Sequence, residues 1–362
     1  MRRRGIVYDV GRVLGVNWRP DYAPGLVRRE LTIIRDDLHC NAVRIVGRNP
    51  DRLISAAGDA LDLGLEVWLS PELWDHDRQR TLRYLIRVAT VAERLAARYP
   101  GRLVFSVGSE LTLFMRGIAP GRSFAARLRN PGLAQFVRSG AHNAPLNAFL
   151  ATACESVRAV FTGPLTYASL AWEDVDWTPF DFVGIDHYRD TRIADRYVTM
   201  LQPALATGKP VEITEVGHVA GRHDSSGPIG AGMTGNVDFP RLFIHHTIPL
   251  IGRLVRPRLR GTPSERNEAW QAEQLTQTLT ILDDAGVDGV FVFTFVHPLN
   301  PYDDDPRYDL DRVSPSLVKS YEGRHGTVYP DMTWDPKPAF DAVATFYADA
   351  ERAQPSPGPM QS

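Results

Sequence analysis

Short, β-rich apolar runs alternate along this chain with longer amphipathic stretches. The runs are RVLGVNW (12–18), NAVRIVG (41–47), LEVWLSP (65–71), LVFSVGSE (103–110), PLTYASL (164–170), FDFVGIDHY (180–188), PVEITEVG (210–217) and GVFVFTF (289–295). They are nearly continuous apolar segments rather than strict alternations, the pattern of strands covered on both faces. The stretches 24–38, 50–63, 77–99, 144–161, 192–207 and 265–285 read as amphipathic helices. Gly64, Gly101, Gly208 and Gly286 close four of these stretches, each a C-cap signal just ahead of a strand.

Eight strand-then-helix units predict an α/β chain folded as a (β/α)8 barrel of parallel strands. The competing architecture, a doubly wound open sheet, usually carries a Gly-rich phosphate loop after its first strand. Here NWRPDYAPG stands in that place, with neither GxGxxG nor GxxxxGK[ST] spacing. Two connections are long, 111–143 and 218–264. Both follow strand ends, where barrel loops build active sites, and loops of that length are usually functional. The expected organisation is one catalytic barrel over residues 1–350, followed by a Pro/Ser-rich, disordered tail at 351–362.

Composition narrows the function classes. With 362 residues and 43% hydrophobic content, the chain can bury a large core and is not a disordered sequence. A net charge of −2 supplies no electrostatic footprint for nucleic acid or an anionic membrane. Cys40 and Cys154 lie far apart, match no metal pattern and read as core residues. The start, MRRRGIVYDVGRVLGV, lacks the apolar run and cleavage site of a secretory signal, and no window of about 18 apolar residues follows. The expectation is a cytoplasmic protein. Nothing in the sequence speaks to oligomeric state.

Chemistry in a barrel sits at the C-terminal ends of its strands. Read in order, those ends offer Asn17 and Trp18, then Arg44, then Glu72 and Trp74, then Ser109 and Glu110. The later strands offer Trp172 and Glu173, then Asp186, His187 and Tyr188, then Glu215, and finally Thr294, Phe295 and His297. Two glutamates, Glu110 and Glu215, end strands 4 and 7. Across a narrow eight-stranded interior their carboxylates can approach to about 5 Å, the separation used by retaining glycosidases. One would be a protonated acid, the other an ionised nucleophile. The competing reading makes each half of a structural ion pair, since all but three of the 41 basic residues are arginine. Strand alternation puts Glu212 on the face opposite Glu215, which leaves Glu215 as the residue at the tip.

These segments resemble, in order, those of the large clan of retaining (β/α)8 glycoside hydrolases that includes cellulases, β-mannanases and β-glucosidases. FSVGSELTLF (105–114) is similar to the strand-4 segment carrying the clan's acid/base glutamate. KPVEITEVG (209–217) is similar to the strand-7 segment carrying its nucleophile. NAVRI, DFVGIDHY, QAEQLTQTLTILDDAGVDGVFVFTF and WDPKPAFDAV resemble further clan segments, so that the likeness runs over about 12–346. The resemblance implies a glycosidase of β-linked sugars with Glu110 as acid/base, Glu215 as nucleophile, and Arg44 and Tyr188 bonded to Glu215. It implies no metal and no cofactor, and a carbohydrate or glycoside as the partner. Two positions depart from the clan pattern. Ser109 stands where an asparagine usually precedes the acid/base, and Phe293 or Phe295 stands where a tryptophan usually lies under the sugar.

Other residues have two readings each. Trp18, Trp74, Trp172 and Trp177 follow strand ends and are either sugar platforms or core residues. His187 either binds a substrate hydroxyl or is a hydrogen-bonded structural histidine. The acidic run NPYDDDPRYDLD (300–311) reads as a loop held by arginines rather than a calcium site, because it lacks the EF-hand glycine and terminal glutamate. No HExxH and no GxSxG occurs, which argues against a zinc hydrolase or a serine esterase. The alternatives to a hydrolase are a barrel that binds carbohydrate or serves in phage defence without turnover, and a transglycosidase of metabolite biosynthesis.

Overall fold

The computed structural model describes residues 1–11, 17, 19, 21–221, 236–252 and 254–353. Eight parallel strands close into a barrel: β1 (Arg3–Asp9), β2 (Ala42–Gly47), β3 (Glu66–Pro71), β4 (Leu103–Ser109), β5 (Leu165–Leu170), β6 (Val183–Asp186), β7 (Val211–Val216) and β8 (Gly289–Val292). β1 completes the ring, pairing Gly5 with Ala42 of β2 and Arg3 with Gly289 of β8. The fold is the expected (β/α)8 barrel.

Helices cover the barrel from outside, and their starts are written in the sequence. Asn49 accepts from the backbone N–H groups of Asp51 and Arg52 and caps the helix Pro50–Asp62. Asp77 caps Arg78–Arg98, and Asn267 caps Glu268–Asp284. In Arg78–Arg98 the buried residues Thr81, Leu85, Val88, Ala89, Ala92 and Ala96 form one stripe against the barrel, while the arginines face out. The closing helix Pro338–Ala353 returns Tyr347 to the carbonyl of Gly5, tying the chain's end to its first strand. This helix takes up the first three residues of the expected tail; 354–362 lie outside the described residues.

Three expectations change. The first strand is Arg3–Asp9, not 12–18, of which 12–16 and 18 lie outside the described residues. The arginines disguise this strand. Arg3 points into the barrel floor, where its guanidinium bonds Glu66 and Glu212 and lies over the rings of Trp68 and Phe182. The helix expected over 192–207 is two 3-10 turns, Ala194–Arg196 and Thr199–Leu201, and one α-turn, Gln202–Leu205. Pro203 explains the break, since its ring cannot continue a helix entering from the N-terminal side. The third change concerns β7. Glu212 and Glu215 both face the interior, at opposite ends of the barrel, because the register shifts between Ile185 and Asp186 in β6–β7 and between Ile213 and Val216 in β7–β8. Such irregularities re-aim side chains.

Inside the barrel, Val7, Ala42, Val46, Trp68, Val104 and Phe291 form an apolar plug. Below it lies the charged floor, Arg3 with Glu66 and Glu212, at 2.6 Å each. Glu212→Ala leaves the buried Arg3 guanidinium with the partly exposed Glu66 alone. Breaking a buried pair of this kind costs roughly 3–5 kcal/mol. The expected outcome is a urea midpoint lowered accordingly, with the mouth of the barrel unaltered.

Candidate active site

The mouth of the barrel is polar where its floor is salt-bridged and its middle dry. Glu110 follows β4 and turns the chain from strand into the short helix Leu111–Phe114. Its φ is +45°, a left-handed conformation that a non-glycine residue adopts only where the surroundings impose it. The surroundings are specific. The Glu110 N–H donates to Ala168 O, and its carbonyl accepts from Leu113 and Phe114. Behind it, Glu173 accepts from Thr112 N, Leu170 N and the Tyr167 hydroxyl, which itself accepts from Leu111 N. Burial pushes Glu173 up to about 7, and these hydrogen bonds pull against that rise.

Glu215 reaches the mouth from β7. Arg44 Nη1 donates to its Oε1 at 2.5 Å, and the Tyr188 hydroxyl donates to its Oε2 at 2.8 Å. Arg44 is itself buried and fixed by Ser70 Oγ at 3.2 Å and the Thr214 carbonyl at 3.4 Å. Both oxygens of Glu215 are therefore accepting, one from a guanidinium, the partner set of a carboxylate. Gly217 permits the turn beyond it: any Cβ there would collide with the Phe293 carbonyl oxygen.

Oxygens of Glu110, Asp186 and Glu215 all lie within 4.8 Å of one another. Burial drives the Glu110 carboxyl well above its ordinary range, and the like charges of Asp186 and Glu215 add to it. Asp186 is raised as well, by burial and then by Glu215, against the opposing pull of Arg44 and Thr214. Glu72, bonded to Trp74 Nε1 and 3.9 Å from Arg44, is pushed by burial up to about 7. The Arg44 guanidinium already occupies Glu215, so the cluster is balanced by that cation and by protons rather than suited to a divalent ion. Two close carboxyl groups in unlike environments, one bonded to a cation and one without, can serve as nucleophile and acid.

No protein-family model and no curated protein sequence matches the chain. Solved structures do. The chain is similar to a GH113 β-1,4-mannanase at a TM-score of 0.57 and 14% identity, over 96% of this chain and 98% of that one. It is similar to the GH113 β-mannanase of Alicyclobacillus acidocaldarius at 0.56 and 17%, over 96% and 97%. It also matches β-glucuronidase 2 of Bacteroides uniformis at 0.54 and 13%, over 98% of this chain and 36% of that longer one. The barrel resembles those of GH113 β-mannanases and of a β-glucuronidase. At these identities the likeness is one of fold.

The structure brings together Glu110, Glu215, Arg44, Ser109 and Tyr188. Trp74 and Trp172 are half-buried and engaged. Trp74 stacks on Phe114 at 3.7 Å, and Trp172 meets the His142 ring edge-on at 5.0 Å. Trp18 lies outside the described residues. Two candidates point elsewhere. His187 faces out of the barrel, stacked on Tyr197 with Nε2 2.9 Å from its carbonyl. Phe295 is fully buried between Tyr8 and Trp334, so Phe293, edge-on to Tyr188 at 6.3 Å, is the aromatic at the mouth. Trp177 packs on Phe180, at the edge of the core. In the acidic run, Asp309 and Asp311 bond Arg266, Arg312 and Lys337. Among the described residues no helix is long and apolar enough to cross a membrane.

Proposed function

We propose that this chain is a retaining glycoside hydrolase acting on a β-linked sugar, with residues 1–350 as one catalytic unit. Glu215 attacks the anomeric carbon and forms a glycosyl-enzyme. Glu110 protonates the leaving oxygen and then takes the proton from the water that releases the sugar. Arg44 and Tyr188 hold Glu215 in line, and Ser109, Phe293 and the two tryptophans, Trp74 and Trp172, are the candidate sugar contacts. The observation that carries this reading is the spacing: one oxygen of each carboxyl group lies within 4.8 Å of the other's, the close approach that a retaining pair about 5 Å apart makes. The barrel neighbours support it at the level of fold. One of them, the β-glucuronidase, is described as covalently bound to a cyclophellitol aziridine.

The test is the mass of the intact protein after incubation with activated 2-deoxy-2-fluoro glycosides, which slow release of the intermediate. A glucosyl, galactosyl, mannosyl, xylosyl or arabinosyl adduct on Glu215 is the expected result, and the probe that gives it names the sugar class. No adduct with any probe, together with a sugar that raises the melting temperature uncleaved, would favour a binding barrel instead. Transfer to an acceptor other than water would favour a transglycosidase.

A further inference from the structure

The third carboxyl group of the mouth has no part in the two-carboxylate scheme. Asp186 ends β6, is 3% exposed, and is held rigidly. Thr214 Oγ1 donates to its Oδ1 at 2.7 Å, and Ser109 Oγ lies 3.4 Å from its Oδ2. Its oxygens share the 4.8 Å cluster with Glu110 and Glu215. Among the described residues, Arg44 reaches Glu215 and Glu72, and no cation bridges Glu110 or Asp186. Asp186 is buried and Glu110 and Glu215 are half-buried, so three carboxyl groups crowd one engaged guanidinium; ionising all of them is opposed by their mutual repulsion, and adjacent carboxyls in such sites share protons.

We propose that Asp186 is a positioning residue: it and Glu110 form a carboxyl pair sharing one proton, held ready for the leaving oxygen while Glu215 stays on Arg44 as the anion. This deepens the glycosidase reading and rests on it for the leaving oxygen. The proton itself is a property of the folded chain. The charged and titratable groups that face the pair are Arg44 from β2, Glu72 from β3, Glu173 beyond β5, Tyr188 beyond β6 and Glu215 from β7. Removing the last proton places a second negative charge on the pair, beside Glu215. Asp186 thus prolongs the protonated life of Glu110 as pH rises.

The test is Asp186→Asn, which keeps the shape and the Thr214 contact but removes the charge. Glu110 then ionises beside Glu215 alone. The alkaline limb of kcat/KM on an unactivated glycoside is expected to move to lower pH by about one unit or more. An infrared pH titration of the protein without substrate reads the same event. The carboxylic-acid absorption that Glu110→Gln abolishes should titrate at lower pH in Asp186→Asn than in the native chain. An unmoved or higher midpoint in the folded variant would overturn the proposal. Thr214→Val gives a second route if Asp186→Asn does not fold. Losing its hydrogen bond draws the shared proton toward Asp186, so the Glu110 midpoint should again fall, and no fall would equally overturn the pairing. If no glycoside is turned over, the infrared result still decides the pair, while the labelling experiment decides the reaction.

Discussion

If Glu215 is the nucleophile proposed above, Glu215→Ala should lower kcat/KM on β-glycosides by roughly 10⁴-fold or more, because removing a covalent nucleophile removes the route and not just a contact. In barrier terms 10⁴-fold is about 5.5 kcal/mol. The space left by the side chain is the diagnostic feature. A small anion such as azide can enter it and attack from the face that Glu215 used. The expected product is a glycosyl azide of inverted configuration, formed in the variant and not in the native chain. The substitution also strips Arg44 of its 2.5 Å partner and leaves a buried guanidinium with Glu72 at 3.9 Å, so a lower melting temperature accompanies the loss. Glu215→Gln keeps the volume and the Tyr188 contact, and separates lost chemistry from lost stability. Hydrolysis unchanged in both variants would end the assignment of Glu215.

The sequence and the structure agree most closely where local chemistry and topology say the same thing. Arg44, Glu110, Tyr188 and Glu215 were legible because Arg44 lies within an apolar strand and the other three at or just beyond strand ends, which in a barrel converge at one mouth. Agreement failed where a side chain's direction depended on partners far away in the chain. β1 was hidden by its arginines; the charge of Arg3 is met by Glu66 and Glu212, 63 and 209 residues away. The two irregular registers of β7 put Glu212 and Glu215 on the same interior, which strict alternation forbids. Phe293 and Phe295 were indistinguishable by composition. One lies at the mouth and the other beneath Trp334, a difference set by how the chain leaves β8. Asp186 stood at a strand end in plain view. Its importance lies in the proximity of Glu110 and Glu215, which no spacing along the chain encodes.

The same proximity separates the expected behaviour of Glu110 variants from that of Glu215 variants. Glu110→Gln should cost about 10²–10⁴-fold on glycosides with poor leaving groups, the usual worth of general acid catalysis. An activated aryl glycoside needs no proton on its departing oxygen, so its kcat/KM, which reports formation of the glycosyl-enzyme, should fall little. Its kcat should still fall steeply, because the second step needs a base to activate water, and Glu110 is the base proposed for it. The intermediate then accumulates. A burst of aryl alcohol equal to the enzyme concentration, a reduced KM, and a glycosylated Glu215 in the mass spectrum should all be seen together. Azide requires no base, and here it should speed turnover and give a glycosyl azide of retained configuration, opposite to the product from Glu215→Ala. An acid held well above its ordinary range by burial, Asp186 and Glu215 is active below its folded pKa and inactive above it. The alkaline limb that poor leaving groups show in the native chain should therefore be absent from the variant. A Glu110→Gln enzyme that kept this limb, or lost equally on good and poor leaving groups, would place the acid elsewhere in the mouth. Glu72, pushed up to about 7 by burial, would be the next residue to replace.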